Sequence, residues 1–352
     1  MKLAQIVDEP YDSGIVHYAL SAARGLKAAG HHVEVWGRPG GYPLKEAERL
    51  GLRTRTLGGL TDLWGLRKAV SGVELINAHT GSSHTLALAV ARSLAEGPRV
   101  VRTRADARPV RRGPGGGVLW SRTAGFISPT RLILGQFQEQ FPAFAGPAAA
   151  IYPGFETGDS RPEPAGPLRV GIVARLDPVK GHADFLRAAA DVATKFPDAR
   201  FLIAGREENV KRARIEALVS NLGLRGKVEV MGHVPDAVEF MRGCHIGVVA
   251  STGSEAVSRV AVEWMSAGRP VVATAVGCLP EFVEDGVSGA LVAPADPRAL
   301  SIAISSLLGD APLRHRLGER ARARFEDAFT YPRFVRETEA FYDKTLRAVP
   351  SR

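Results

Sequence analysis

The sequence predicts an α/β protein built as two doubly wound domains facing across a cleft. Three observations predict it. Strand-like apolar runs alternate with helical patterns from one end to the other. The length, 352 residues, suits two domains better than one. A stretch rich in Pro, Gly and charge, PGFETGDSRPEPAGP at 153–167, breaks the alternation near the middle and reads as a linker. The expected domains are residues 1–156 and 157–330, followed by a terminal segment, 331–352.

The first half opens with a strand, KLAQIVD at 2–8, running directly from Met1 with no signal-peptide pattern. The loop Glu9-Pro10-Tyr11-Asp12-Ser13-Gly14 leads into a helix over 15–29, ended by Gly30, and then a strand at 32–36. That is one β-α-β unit, with Ser13-Gly14 at a helix start where backbone amides can meet a phosphate. A simple turn would use the same glycine. Further strands fall at 53–57, 73–78, 99–103, 125–128 and 149–152, and helices at 43–51, 61–70, 82–95 and 129–140. His79 follows a strand, at the edge where open α/β sheets hold ligands; capping the next helix is its other reading. Residues 99–112, RVVRTRADARPVRR, hold six arginines against one acid, Asp106, and GPGGG after them reads as a flexible segment.

The second half repeats the pattern. Strands are expected at 168–176, 199–205, 227–232, 245–251, 271–274 and 289–294. Helices are expected at 181–195, 207–222, 236–242 and near 280–284, with more at the C-terminus. Its most informative stretch is 250–275, ASTGSEAVSRVAVEWMSAGRPVVATA. Val257, Val260, Ala261, Trp264 and Met265 recur at helical spacing, Gly268 stops the helix, and a strand follows. Glu255 precedes that helix and Glu263 lies within it. Eight helical residues rise about 12 Å, so the two carboxylates cannot grip one small group. They can hold two ends of a long ligand while the helix start between them takes an anion, which is the form of a nucleotide sugar. An amphipathic helix with two solvated glutamates has the same spacing.

A second constellation is GIVARLDPVKG at 171–181. A buried strand ends at Arg175, Pro178 turns the chain, and Lys180-Gly181 opens a helix. Two fixed cations beside a helix start suit a diphosphate leaving group that gains negative charge; a plain strand-loop-helix with surface cations has the same pattern.

Composition narrows the function classes. The net charge of +9 is uneven: residues 1–150 hold 19 Lys and Arg against 11 Asp and Glu, and the rest hold 27 against 26. The first half is therefore expected to meet something acidic; a generally Arg-rich surface would give the same excess. No apolar run approaches the ~20 residues that span a bilayer. Two cysteines, Cys244 and Cys278, are too few for a disulfide framework or a zinc site and fit a reducing cytoplasm. DEPYDSG after the first strand does not supply the G-x-G-x-x-G of a dinucleotide enzyme. The arginines lack the interleaved aromatics of a nucleic-acid surface, so no nucleic acid is expected.

With these elements together, the chain resembles the GT-B glycosyltransferases, in the group 1, family 4, retaining type. The residues that carry the resemblance are GIVARLDPVKG, Glu255 and Glu263 followed by MSAGRPVVAT, and Gly277-Cys278-Leu279-Pro280-Glu281. Asp285-Gly286-Val287-Ser288-Gly289 and the linker Tyr152-Pro153-Gly154-Phe155-Glu156 complete it. The resemblance implies two Rossmann-like domains, acceptor-binding first and donor-binding second, with a helix at about 332–347 crossing back to the first. It implies that Arg175 and Lys180 bind the donor diphosphate with the amides of Ser258, Arg259 and Val260, and that Gly14 closes on it. Glu255 would contact the sugar hydroxyls and Glu263 the ribose.

This chain departs from the family at two positions. Ser258 stands where the family commonly has Gly. Ala105 stands where a catalytic His is often found in a T-x-H element; Asp106 and His79 are the candidates to replace it, and a mechanism without that group is the third option. No D-x-D pair is present, so no metal requirement is expected.

The expected activity is therefore retaining transfer from an NDP-sugar, UDP- or GDP-linked, with no cofactor, onto a lipid-linked or cell-envelope glycan of lipopolysaccharide type. Arg104, Arg108, Arg111 and Arg112 would meet an acidic glycolipid or an anionic membrane surface, placing a cytoplasmic protein peripherally on that face; a solvated basic loop is the alternative. A soluble acceptor such as a sugar phosphate is the main rival. A non-catalytic nucleotide-sugar binder is another, although intact Arg175, Lys180, Glu255 and Glu263 argue against it.

Overall fold

The computed structural model describes residues 1–58, 63–106, 116–159, 161–253 and 255–348, without the side chains of residues 63 and 64. The chain divides into two compact units, Met1–Gly154 with Tyr331–Arg352, and Phe155–Thr330.

The first unit holds a seven-stranded sheet of β1 (Lys2–Ile6), β2 (His32–Gly37), β3 (Arg53–Thr56), β4 (Leu75–Ala78), β5 (Arg99–Thr103), β6 (Gly125–Ser128) and β7 (Ala148–Ala150). Their order is β3-β2-β1-β4-β5-β6-β7, and every pairing is parallel. Parallel strands need helical crossovers, which cover both faces and leave the central strands apolar throughout. Successive residues accordingly serve opposite cores. Leu3, Leu75 and Val101 pack in one cluster, and their neighbours Ala4, Ile76 and Val100 in another. The first cluster is closed by helix Gly14–Ala28 and by the terminal helix Tyr331–Arg347, through Phe334, Phe341 and Tyr342. The buried Tyr342 hydroxyl accepts bonds from Gln5 Nε2 at 3.0 Å and Asn77 Nδ2 at 2.7 Å. The terminal helix is thus part of the first unit, as the resemblance implied.

The second unit holds β8 (Arg169–Val173), β9 (Arg200–Ala204), β10 (Val228–Met231), β11 (Ile246–Val249), β12 (Val271–Thr274) and β13 (Gly289–Val292). The order is β10-β9-β8-β11-β12-β13, again all parallel. Both sheets therefore have the doubly wound order in which the chain reverses direction beside its first strand. In the second sheet that switch point lies between β8 and β11. Helix Arg259–Ser266 sits close on these two strands because Gly171 and Gly247 leave room for the Trp264 indole, which a Cβ at either position would strike.

Three sequence expectations need correction. Gly116 and Gly117 are not part of a flexible segment; they open a short helix, Gly116–Ser121. Residues 207–211 are not helical. Val210 is held by a backbone bond to Leu176, and the Glu207 carboxylate accepts the Arg212 amide at 2.9 Å, so the helix begins at Arg212. Thr80, not His79, caps helix Gly81–Arg92, in a capping box with Ser83.

Candidate functional site

The second unit carries a cavity of about 510 Å³ at the carboxyl ends of β8 and β11, the position where open α/β sheets bind ligands. Arg175, Lys180, Glu255, Ser258, Arg259 and Val260 all line it.

The cavity is built by two loops locked to each other. After β8, Asp177 caps the turn Pro178–Lys180, its Oδ1 accepting the Val179 amide at 3.0 Å. Asn209 Nδ2 donates to the other Asp177 oxygen at 2.7 Å. The Val179 amide, then Asn209, Arg175 and Lys180 hold the Asp177 carboxyl below its ordinary pKa, against the effect of burial. Gly181 turns in the left-handed region at φ 69°, where a Cβ would overlap the Ala250 carbonyl. Thr252 N–H donates to the Val179 carbonyl at 2.8 Å and joins this turn to the loop after β11.

That second loop presents Glu255, which is 4% exposed. Its Oε1 accepts from Lys180 Nζ at 2.5 Å and from Ser251 Oγ at 2.6 Å. Its backbone carbonyl accepts the Cys278 amide at 2.8 Å. Gly277, at φ 56°, lies so close that a Cβ would overlap the same carbonyl. The Gly277-Cys278 turn therefore fixes Glu255 from behind. Arg175 is more open than Lys180: its side chain is 46% exposed against 21%, 3.7 Å from Asp177 and 4.0 Å from Glu208.

The helix Arg259–Ser266 starts at this cavity. Its N-cap, Ser258, makes no side-chain capping bond, and its buried hydroxyl has no partner among the described residues. The Arg259 guanidinium lies 3.4 Å from Glu263 and 5.5 Å from the centre of the Phe155 ring. Glu263 itself is not among the residues that line the cavity. Beneath the helix start lies Cys278, its thiol pushed up to about 12 by burial, while the Ser258 backbone N–H pulls the other way.

Sequence reasoning missed Gly205, Arg206, His233, Val234 and Ser251. Arg206, His233 and Val234 follow strand ends, which was the available signal; Ser251 carried none.

The other predicted residues belong to the first unit. Gly14 is the first residue of its helix, capped by Ser13 Oγ, which accepts the Val16 amide at 3.3 Å. His79 is 1% exposed, with Nε2 2.8 Å from Gln5 Oε1, and burial followed by the charge of Arg102 pushes it down to about 3. It is a neutral interior histidine, not a group open to a reacting substrate. Arg104 Nε approaches the Asp106 carbonyl at 3.4 Å. Arg108, Arg111 and Arg112 lie outside the described residues. Among the described residues no cluster of His, Cys, Asp and Glu could hold a metal, and no helix is long and apolar enough to cross a membrane.

Comparison with known proteins agrees with this fold. The family of glycosyl transferases group 1 matches residues 156–324. A D-inositol 3-phosphate glycosyltransferase of Segniliparus rotundus is 30% identical over 291 residues, which are 78% of this chain and 62% of that protein. Another, from Mycobacterium sp. strain KMS, is 38% identical over 167 residues, 46% of this chain and 36% of that protein. The chain thus matches less than two thirds of the length of either relative. The crystal structure of Anabaena HepE in complex with UDP is similar over 97% of this chain and all of that one, with a TM-score of 0.84 at 19% identity. The chain has the GT-B fold of two Rossmann-like sheets, and its residues 156–324 match the family of group 1 glycosyl transferases.

Proposed function

We propose that the chain is a retaining glycosyltransferase that takes a sugar from a UDP- or GDP-linked donor without a divalent metal. The observation that carries the reading is the convergence of Arg175, Lys180, Glu255 and one helix start on a single cavity at the sheet's switch point. In this reading the donor diphosphate lies against Arg175, Lys180 and the amino end of helix Arg259–Ser266. Arg175 is half exposed and receives it with little rearrangement. Lys180 is paired with Glu255, so the arriving diphosphate draws it away and leaves a Glu255 oxygen for the sugar hydroxyls. Recognition of sugar and of diphosphate is thereby coupled. Glu263 can meet the ribose only when Arg259 turns from it.

The acceptor hydroxyl attacks the anomeric carbon on the face from which the diphosphate leaves. The bond to the diphosphate oxygen breaks, that oxygen takes the acceptor's proton, and the two cations stabilise its charge. The UDP in the HepE crystal supports a nucleoside diphosphate as the leaving group. For the acceptor, the basic first half supports a cell-envelope glycan or glycolipid met at the cytoplasmic face of a membrane. A second reading, a soluble phosphorylated acceptor, is favoured by the activity for which the two relatives are named.

The test is a panel of nucleotide sugars by thermal shift, then mass spectrometry with inositol phosphate, hexose phosphate and lipid-linked acceptors, with magnesium or excess chelator. One nucleotide should raise the Tm, and one acceptor should gain one sugar equally in both conditions. Stabilisation without product from any acceptor would favour the binding protein, and loss with chelator restored by manganese would remove metal independence.

A further inference from the structure

The loop after β9 carries two adjacent glutamates, and they are held differently. Glu207 accepts the Arg212 amide at 2.9 Å and pairs with Lys211 at 3.0 Å, which ties down the start of helix Arg212–Asn221. Glu208 makes no hydrogen bond among the described residues. Its carboxylate lies 4.0 Å from Arg175 and 3.5 Å from Arg206, and both of these cations line the cavity. The backbone puts it there. Leu176 and Glu207 form a parallel bridge, the Leu176 N–H donates to the Arg206 carbonyl at 2.8 Å, and a Cβ at Gly205 would overlap the Ala174 carbonyl. In extended chains alternate residues share a side, so Arg175 and Asp177 stand beside Arg206 and Glu208. The two carboxylates near Arg175 have different duties. Asp177 is 9% exposed, and its oxygens accept from the Val179 amide and from Asn209. Glu208 is 37% exposed and touches only the charges of its two cations.

A carboxylate beside a cation that receives phosphate weakens that cation for every anion, and most for the anion of highest charge. The reaction proposed above changes that charge. A nucleotide sugar has one ionised oxygen on each phosphate. When the bond to the sugar breaks, the diphosphate oxygen keeps the electron pair and takes the acceptor's proton. That proton then passes to water, because a terminal phosphate loses its second proton at about pH 6. The spent diphosphate therefore carries one negative charge more than the donor. We infer that Glu208 is a positioning residue that separates donor from product by charge. Through Arg175 and Arg206 it opposes the extra charge of the free nucleoside diphosphate, and so favours exchange of spent nucleotide for a new nucleotide sugar. This rests on the donor-site reading above.

The test compares wild type, Glu208→Gln and Glu208→Asp by calorimetric titration with UDP and UDP-glucose and with GDP and GDP-mannose. Thermal unfolding of each ligand-free protein would accompany the titrations. Glu208 is partly exposed and makes no hydrogen bond, so all three proteins should share one Tm. Glu208→Gln should tighten both members of the pair that binds wild type, the diphosphate about threefold more than the nucleotide sugar. Glu208→Asp keeps the charge and should keep the wild-type ratio. The gain in Glu208→Gln should fade in about 1 M salt, which screens charges beyond roughly 3 Å. A merely structural glutamate would move both ligands equally and at any salt. An unchanged ratio in Glu208→Gln, the same shift in Glu208→Asp, or a lowered Tm in Glu208→Gln would overturn the inference and leave the donor site standing. Binding of neither diphosphate by wild type would remove the donor-site reading with it.

Discussion

Lys180 and Glu255 form one contact that holds a loop and, in the proposed reading, also serves the chemistry. Glu255 is buried, Lys180 is its cation at 2.5 Å, and Ser251 is its second donor. Removing Lys180 alone strands a carboxylate in the protein interior, which costs about 3 kcal/mol by analogy with broken buried pairs. Lys180→Met should therefore lower the Tm by several degrees and abolish turnover. The double change Lys180→Met with Glu255→Gln should recover most of the Tm and none of the turnover, a separation that thermal unfolding beside a nucleotide-release assay reads directly. If the single and double variants are equally unstable, the ion pair does not hold the loop. At this scale the sequence was informative where residues carry charge. Arg175, Lys180, Glu255 and the Ser258 position stood out in the chain and line one cavity. Ser251 did not, because a serine four residues before a glutamate has no meaning until the loop brings the hydroxyl to the carboxylate. Glu263 stood out by its spacing, yet Arg259 holds it beside the helix, because side chains four apart on a helix face each other.

At the scale of elements, glycine turns place the charged groups. Gly277 at φ 56° leaves no room for a side chain against the Glu255 carbonyl, whereas Gly286 at φ 70° has open space around it. Both positions penalise a Cβ for conformation, by about 1 kcal/mol. Only the first adds a clash with the loop that carries Glu255. Gly286→Ala should lose about that stability and keep its turnover; Gly277→Ala should lose more and turn over at least tenfold more slowly, since Glu255 must shift. Equal turnover in the two variants would show that the turn does not position Glu255. Strand order was legible from the β-α alternation, since parallel strands with helical crossovers admit few arrangements. Helix starts were less legible. Residues 207–211 have acceptable helix propensity, but a bond from Val210 to Leu176 and a cap from Glu207 delay the helix to Arg212. Such long-range partners leave no local pattern.

At the scale of the whole molecule, burial of histidines sets the response to acid. Burial, then the charge of Arg102, pushes His79 and His84 down to about 3, and burial pushes His182 to about 4. The unfolded chain takes up protons at these groups below about 6.5, while the folded protein does not. Their contribution to stability is thus complete above that pH and is lost as the pH falls toward 3, by roughly 1 kcal/mol per pH unit for each histidine. The Tm should fall between pH 7.5 and 5, and His84→Gln, which can still reach Thr123, should flatten the fall; a Tm independent of pH in that range would refute the assignment. The division into two sheets was legible from the linker at 153–167, and the return of the terminal helix from the family resemblance. The tie that holds that helix, Tyr342 between Gln5 and Asn77, was not, because its partners lie hundreds of residues apart in the chain. If the cavity of the second unit binds and activates a nucleoside diphosphate sugar, nucleotide release by Arg175→Ala should reveal it. Arg175 is half exposed and supports no core, so the variant should keep the wild-type Tm. Its kcat should fall about 10²–10³-fold, the loss expected when a fixed cation on a leaving group is removed. Turnover equal to wild type in a folded Arg175→Ala protein would show that this cavity does not activate a nucleoside diphosphate sugar.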